Sequence, residues 1–272
     1  MITRYHKFAL VAGIVLAMAF TLSCSGDDGG GDNNPGGSSS SGVSSSNNSS
    51  SAAQKCDGVE YNPATQLCDT RDGNLYRFKT IGTGATAQIW MAENLNYAVG
   101  GKCYGEDGQV YSDGLSTLSN AEIQNNCKTY GRLYDWATAN TTACPSGWRL
   151  PSDADWNVLM KVANPDCTDN NACDGAGEKL KSGSSLWKSV SSLFSGNNKG
   201  TNNYGFAALP GGICNSNGIF NYVGYNGEWW SASEGDSDGA YSRGMTSING
   251  YVSYLGNDKN ALLSVRCLKD SP

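Results

Sequence analysis

Apolar residues run almost unbroken from Phe8 to Leu22 behind Arg4 and Lys7, and then give way to a long polar stretch. From Ser25 to Gln54 the chain is mostly Gly, Ser, Asn and Asp, with Pro35, Val43, Ala52 and Ala53 interrupting. Such a composition has too little apolar surface to offset the ordering of its backbone, so residues 24–54 read as a disordered, flexible linker. Periodic patterning begins after it. Leu75 to Ile81 alternates around Tyr76 and Phe78. Gln88 to Leu95, Gly218 to Tyr225, Glu228 to Ser233, Tyr241 to Met245, Gly250 to Leu255 and Leu262 to Leu268 are short, β-rich and bounded by Gly or Asn. Each of these is predicted to be a strand. Two helices are predicted. Gly131 to Asn140 places Leu133, Trp136 and Ala137 on one face. The second starts at Ser152, which with Asp155 resembles a capping box, Asp standing in for the usual Glu, while Asp153 complements the helix dipole. Trp156, Leu159, Met160 and Ala163 then recur at i, i+3, i+4 and i+7 and form one core-facing stripe. Two helices followed by a strand-rich half predict an α+β fold, with residues 55–272 as a single domain.

The apolar run of fifteen residues is shorter than the roughly 20 needed to span a bilayer. With its charged start and the small residue Ser23 at its end, it predicts a signal peptide over residues 1–23. Thr21-Leu22-Ser23-Cys24 resembles the lipobox of bacterial lipoproteins, in which the cysteine is acylated and becomes the first residue; Thr21 stands where that motif carries Leu. The resemblance implies lipidation at Cys24, a membrane contact through the acyl chains, and anchoring in the cell envelope at the outer membrane. Asp27 and Asp28 resemble the acidic surface-export signal of some Gram-negative lipoproteins and imply display on the outer face.

Composition narrows the chemistry. The one histidine is His6, inside the leader. The processed chain therefore has no imidazole, which excludes Ser-His-Asp and Cys-His catalysis, His-ligated metals and a histidine pH switch. Net charge is −6, and −8 once Arg4 and Lys7 leave with the leader, so nucleic acid and anionic membrane surfaces are not expected partners. Ten cysteines in an exported chain predict disulfides. Spacing alone does not fix their connectivity. Short connecting loops favour Cys56 with Cys68, Cys103 with Cys127 and Cys167 with Cys173. Cys144 and Cys267 would then form a long-range staple, with Cys214 left over.

Six ordered blocks carry a family resemblance. They are Thr70-Arg71-Asp72-Gly73 with Ile89-Trp90-Met91-Ala92-Glu93-Asn94-Leu95-Asn96-Tyr97; Tyr130-Gly131-Arg132-Leu133-Tyr134-Asp135-Trp136-Ala137; Cys144-Pro145-Ser146-Gly147-Trp148-Arg149-Leu150-Pro151-Ser152; Tyr204-Gly205-Phe206-Ala207-Ala208-Leu209-Pro210-Gly211-Gly212; Glu228-Trp229-Trp230-Ser231-Ala232-Ser233; and Ser264-Val265-Arg266-Cys267. In this order they resemble the Fibrobacter succinogenes major paralogous domain over most of residues 69–269. That resemblance implies a secreted or surface-anchored protein and carries no biochemical activity with it. Gly147 to Trp156 and the closing Ser-Val-Arg-Cys are also similar to segments of formylglycine-generating and sulfatase-modifying proteins. This second resemblance implies a C-type-lectin-like fold, in which a long-range disulfide to the last strand is usual.

Candidate functions follow from what remains. Formylglycine-type oxidation needs a close pair of reactive cysteines, and the C-terminal third has only Cys214 and Cys267. The tripeptides that lectins use for calcium-dependent sugar binding are missing, and the acidic loop Glu234 to Gly239 reads as a solvated turn, as does the group Asp166, Asp169 and Asp174. No cofactor is predicted, calcium being the alternative. A carboxylate pair for glycoside hydrolysis is not singled out by any spacing. Aromatics carry the stronger signal. Trp90, Trp136, Trp148 and Trp156 lie in core-like blocks. Tyr222, Tyr225, Trp229, Trp230, Tyr241, Tyr251 and Tyr254 fall among Asn, Ser and Gly in the strand-rich half. Strand neighbours point to opposite faces, so one of Trp229 and Trp230 is expected to face outward. Tyr222, Tyr225, Trp230, Tyr251 and Tyr254 are therefore the candidate ligand-binding residues of a non-catalytic binding or adhesion module. Polysaccharide is the favoured ligand. The rival functions are binding to another envelope protein in a structural role, or a histidine-free hydrolase or modifying enzyme.

Overall fold

A computed structural model describes residues 54–111, 114–189 and 200–270. The expected signal peptide over residues 1–23, Cys24 and residues 25–53 lie outside the described residues. Contacts divide the chain into Met1–Ser49 and Ser50–Pro272, and the second unit is the one described below. Among the described residues no helix is long and apolar enough to cross a membrane.

The architecture is a mixture of helix and sheet, pinned by four disulfides. A five-stranded antiparallel sheet runs in the spatial order Trp148–Arg149, Leu268–Lys269, Gln88–Met91, Asn74–Ile81, Gln66–Asp69. A six-stranded sheet runs Ser253–Asp258, Gly239–Thr246, Asn226–Glu234, Leu263–Ser264, Leu133–Tyr134, Gly101–Lys102, with one parallel step where Trp229 meets Ser264. A smaller sheet joins Ile213–Cys214, Ile219–Asn221, Gln109–Tyr111 and Leu115–Ser116. The pattern Leu262 to Leu268 predicts one strand, and the structure makes two. Leu263–Ser264 sits inside the six-stranded sheet, and Leu268–Lys269 sits inside the five-stranded one. Val265, Arg266 and Cys267 between them are fully buried, because this segment crosses from one sheet to the other through the middle of the domain.

The expected alternation at Trp229 and Trp230 holds, but neither ring faces solvent. Trp229 packs with Trp90, Trp156 and Phe206, while Trp230 packs with Tyr134, Leu263 and Val265. Both are 0% exposed. The strand Asn226–Glu234 is covered on its two faces by different parts of the core, so a period of two leaves no outward side. Trp230 is thereby corrected from ligand candidate to core residue; its Nε1 donates to the Tyr134 carbonyl at 2.7 Å.

Helix Asp153–Ala163 forms as the pattern predicts. Ser152 Oγ accepts from Asp155 N, the Asp155 carboxylate accepts from Ser152 N at 2.7 Å, and Trp156, Leu159, Met160 and Ala163 are buried. Arg149 clasps the same carboxylate, and together these hydrogen bonds and the nearby charge hold Asp155 below the usual carboxylate range against the opposing effect of burial. The helix expected over Gly131 to Asn140 is displaced. Asn120–Tyr130 is helical and is ended by Gly131 at φ 77°, a left-handed conformation that suits glycine. Leu133–Tyr134 is a strand, and helical turns resume only over Trp136–Ala143. A further short helix spans Ala176–Leu180. Four helices are present among the described residues where two are predicted.

Disulfides join Cys56 to Cys68, Cys103 to Cys127, Cys144 to Cys267 and Cys167 to Cys173. Cys214 is buried and unpaired, and burial pushes its thiol up to about 11.

Candidate functional site

Two loops at one end of the ribbon Asn226–Glu234, Gly239–Thr246, Ser253–Asp258 carry a group of exposed apolar side chains. The first is the turn Tyr222 to Asn226, where the Tyr222 carbonyl accepts from the N–H groups of Tyr225 and Asn226, both at 2.9 Å. Tyr222 itself is left-handed at φ 65°. The second is the tip Thr246 to Tyr251, which joins the last two strands of the ribbon. Ladder pairing sets Asn226 against Thr246, and Ser247 N donates to the Tyr225 carbonyl at 2.8 Å, so the two loops lie side by side. Tyr222, Tyr225, Ile248 and Tyr251 are 44%, 37%, 46% and 39% exposed.

This surface is held from beneath. Gly177 N, in the short helix Ala176–Leu180, donates to the Gly250 carbonyl at 2.8 Å, and Cys173 and Val252 exchange both backbone hydrogen bonds. Within the tip, Asn249 Oδ1 accepts from Tyr251 N at 3.1 Å. The fully buried Lys181 Nζ donates to the carbonyls of Thr246 and Asn249 at 2.8 and 2.7 Å. Burial pulls its ammonium down to about 8. Beside Tyr225, the Lys188 ammonium lies 5.5 Å from the ring centroid, and Lys188 N donates to the Gly224 carbonyl at 2.7 Å.

The structure thus brings Tyr222, Tyr225 and Tyr251 to one end of the ribbon and sets Tyr254 apart from them. Tyr254 pairs across the ladder with Arg243, stacks on Tyr241 at 4.8 Å between centroids, and lies under the Arg243 guanidinium at 4.5 Å. Arg243 is buried and bonded to Asp153 at 2.9 Å. Burial first, and then Tyr241 and Asp153, raise the Tyr254 phenol well above its ordinary range. This is a stacked structural column on the face that packs against helix Asp153–Ala163.

A groove of about 580 Å³ beside that helix is lined by Thr83, Thr86, Val158, Val162 and Tyr204, with no carboxylate. A smaller cavity of about 150 Å³ has Glu93 alone. Among the described residues no three His, Cys, Asp or Glu side chains are grouped to hold a metal ion. In the acidic loop, Asp236 Oδ1 accepts from Asp238 N and Gly239 N, and Lys259 binds Glu234 and the carbonyls of Asp236 and Ser237. Asp169 pairs with Lys161 at 2.7 Å, and the carbonyl of Asp174 takes the Asn164 amide.

Ile248, Lys181 and Lys188 were not among the sequence candidates. Asn249-Gly250 is a turn signal between two strand patterns and marks the tip that carries Ile248. Lys181 has no comparable signal, since it sits in a polar stretch and only the tertiary structure buries it.

The ordered sequence blocks meet elsewhere, at a buried hub. Asn94 Oδ1 accepts from Trp229 Nε1 at 2.8 Å and from Arg266 Nη2 at 2.7 Å, while Asn94 Nδ2 donates to the Tyr130 carbonyl at 2.9 Å. The Arg266 guanidinium also donates to the Phe206 carbonyl and lies 4.3 Å from the Phe206 ring centroid. Burial lowers this guanidinium to about 9, with no carboxylate bonded to it. Five of the six blocks contribute a residue to the hub, and the exposed tyrosines belong to none of them. The blocks thus meet in the core of the domain, away from the exposed tyrosines. No curated protein and no solved structure matches the chain. Residues 84–269 match the family model described as the Fibrobacter succinogenes major domain, and the chain belongs to that family.

Proposed function

We propose that the chain is a lipid-anchored protein of the bacterial cell envelope that displays a non-catalytic binding module with a C-type-lectin-like fold. The observation that carries the binding reading is the set Tyr222, Tyr225, Ile248 and Tyr251, exposed together on two backbone-tied loops. Tyrosine offers rigid amphipathic area at small entropy cost, which suits stacking on the apolar faces of sugar rings. Carbohydrate is the proposed ligand class. The anchor reading is supported by the lipobox-like Thr21-Leu22-Ser23-Cys24 and the long Gly/Ser stretch behind it. The lectin-like reading is supported by the staple from Cys144 to Cys267 and by a helix directly after the strand Trp148–Arg149.

The test is a glycan array probed with the purified chain, with and without calcium, beside the triple variant Tyr222→Ala, Tyr225→Ala, Tyr251→Ala. Retention of the native chain on a defined glycan class, lost in the variant while thermal stability is kept, supports the proposal. No retention on any glycan, together with specific capture of one envelope protein, replaces carbohydrate with the structural role. Hydrolysis of a retained glycan overturns the non-catalytic reading.

A further inference from the structure

We infer that Lys181 is the positioning residue of this surface: its internal ammonium cross-links the tip Thr246 to Tyr251 and presents the exposed apolar side chains in a preformed arrangement. The inference rests on reading the surface as a ligand site.

A lysine buried without a bonded counter-ion is costly, so its geometry calls for a cause. Lys181 is 0% exposed, and its described hydrogen-bond partners are two carbonyls three residues apart in one tip. The Trp187 ring lies 5.2 Å from Nζ, and Glu178, in the helix that ends just before Lys181, is the carboxylate whose charge acts on it. The backbone of Lys181 is fixed as well. Its N–H donates to Gly177, its carbonyl accepts from Asn202, and Gly200 packs so closely that a Cβ there would overlap it. The ammonium therefore projects from a rigid base into a turn that bears Ile248 and leads into Tyr251. Without it, the carbonyls of Thr246 and Asn249 lose a buried donor, and the tip gains freedom that any ligand must then remove.

The experiment has a ligand-free arm and a ligand arm. In the first, hydrogen exchange of the purified chain is compared with that of Lys181→Met and Lys181→Arg. Lys181→Met is expected to speed exchange at least tenfold for the amides of Ser247, Tyr251 and Val252 and to leave Phe78 to Ile81 unchanged, with Lys181→Arg restoring part of the protection. Unchanged exchange at the tip, or acceleration spread evenly over the domain, overturns the inference. Should Lys181→Met fail to fold, lysine-¹⁵N NMR of the native chain decides. One ammonium with slowly exchanging protons, titrating below the ordinary lysine value, supports the cross-link, and its absence refutes it. In the second arm, retention is measured on soluble xylan. If xylan is retained, Lys181→Met is expected to weaken it at least fivefold, and undiminished retention refutes the positioning role. If xylan binds equally to native chain and to Tyr225→Ala, the reading of the surface fails, while the exchange result stands on its own.

Discussion

Replacing Glu228 by glutamine is expected to stabilise the protein at pH 8 and to leave it nearly unchanged at pH 4.5. Glu228 is 8% exposed on a strand covered on both faces, and its side-chain hydrogen bond comes from Asn257 Nδ2 at 3.3 Å. Burial raises the carboxyl from 4.5 to about 7, the hydrogen bond from Asn257 opposing this only in part. Between those pH values the folded chain keeps a proton that the unfolded chain has released. Stability from this group is therefore highest below 4.5, falls as pH rises, and is fully lost above 7. At about 1.36 kcal/mol per unit, the difference reaches about 3 kcal/mol. The amide of Glu228→Gln keeps an acceptor for Asn257 and cannot ionise, so it does not incur that cost. Urea unfolding of both chains across pH 4.5 to 8 measures the effect. Taking the difference at each pH cancels groups such as Asp155 that titrate in both chains. A difference independent of pH, or a variant less stable than the native chain at pH 8, would refute the reasoning.

Asn94→Ala is expected to cost about 3 to 5 kcal/mol in denaturant unfolding, because Trp229 Nε1 and the charged Arg266 Nη2 both lose a buried acceptor. Removing the Cys144–Cys267 bridge, which spans a separation of 123 residues, should lower stability by about 5 kcal/mol on the chain-entropy account, measured by thermal unfolding of the double Ala variant. Gly177→Ala places a Cβ against the Tyr251 carbonyl, and a loss of about 1 to 3 kcal/mol with faster exchange at Ser247 to Val252 is the expected result.

Helix Asp153–Ala163 was legible because cap and apolar stripe agree. Ser119 and Glu122 form the same capping box at the start of Asn120–Tyr130, yet that helix escaped the hydrophobic pattern because it buries only Cys127. An amphipathic reading needs a stripe, and this helix has almost none. The pattern Leu262 to Leu268 reads as one strand where the structure has two, because periodicity is blind to which sheet a residue joins. Trp230 failed for a related reason, since alternation separates two faces without telling whether both are covered. Tyr222, Tyr225 and Tyr251 were named from composition, and their grouping depended on a turn at Tyr222 and a tip at Asn249 that bring distant segments together. Tyr254 was named on the same grounds and stacks instead against Tyr241, a contact set by ladder register.

The segment from Leu263 to Lys269 supplies an interior strand to the five-stranded sheet and another to the six-stranded one. A growing chain that lacks these residues can close neither sheet, however much of the rest has emerged. Nor can Cys144 form its native bridge, because Cys267 lies in the same segment. The domain therefore commits to its native state only when the segment Leu263 to Lys269 is free to move into place. Any nick within that segment should act on the whole domain at once.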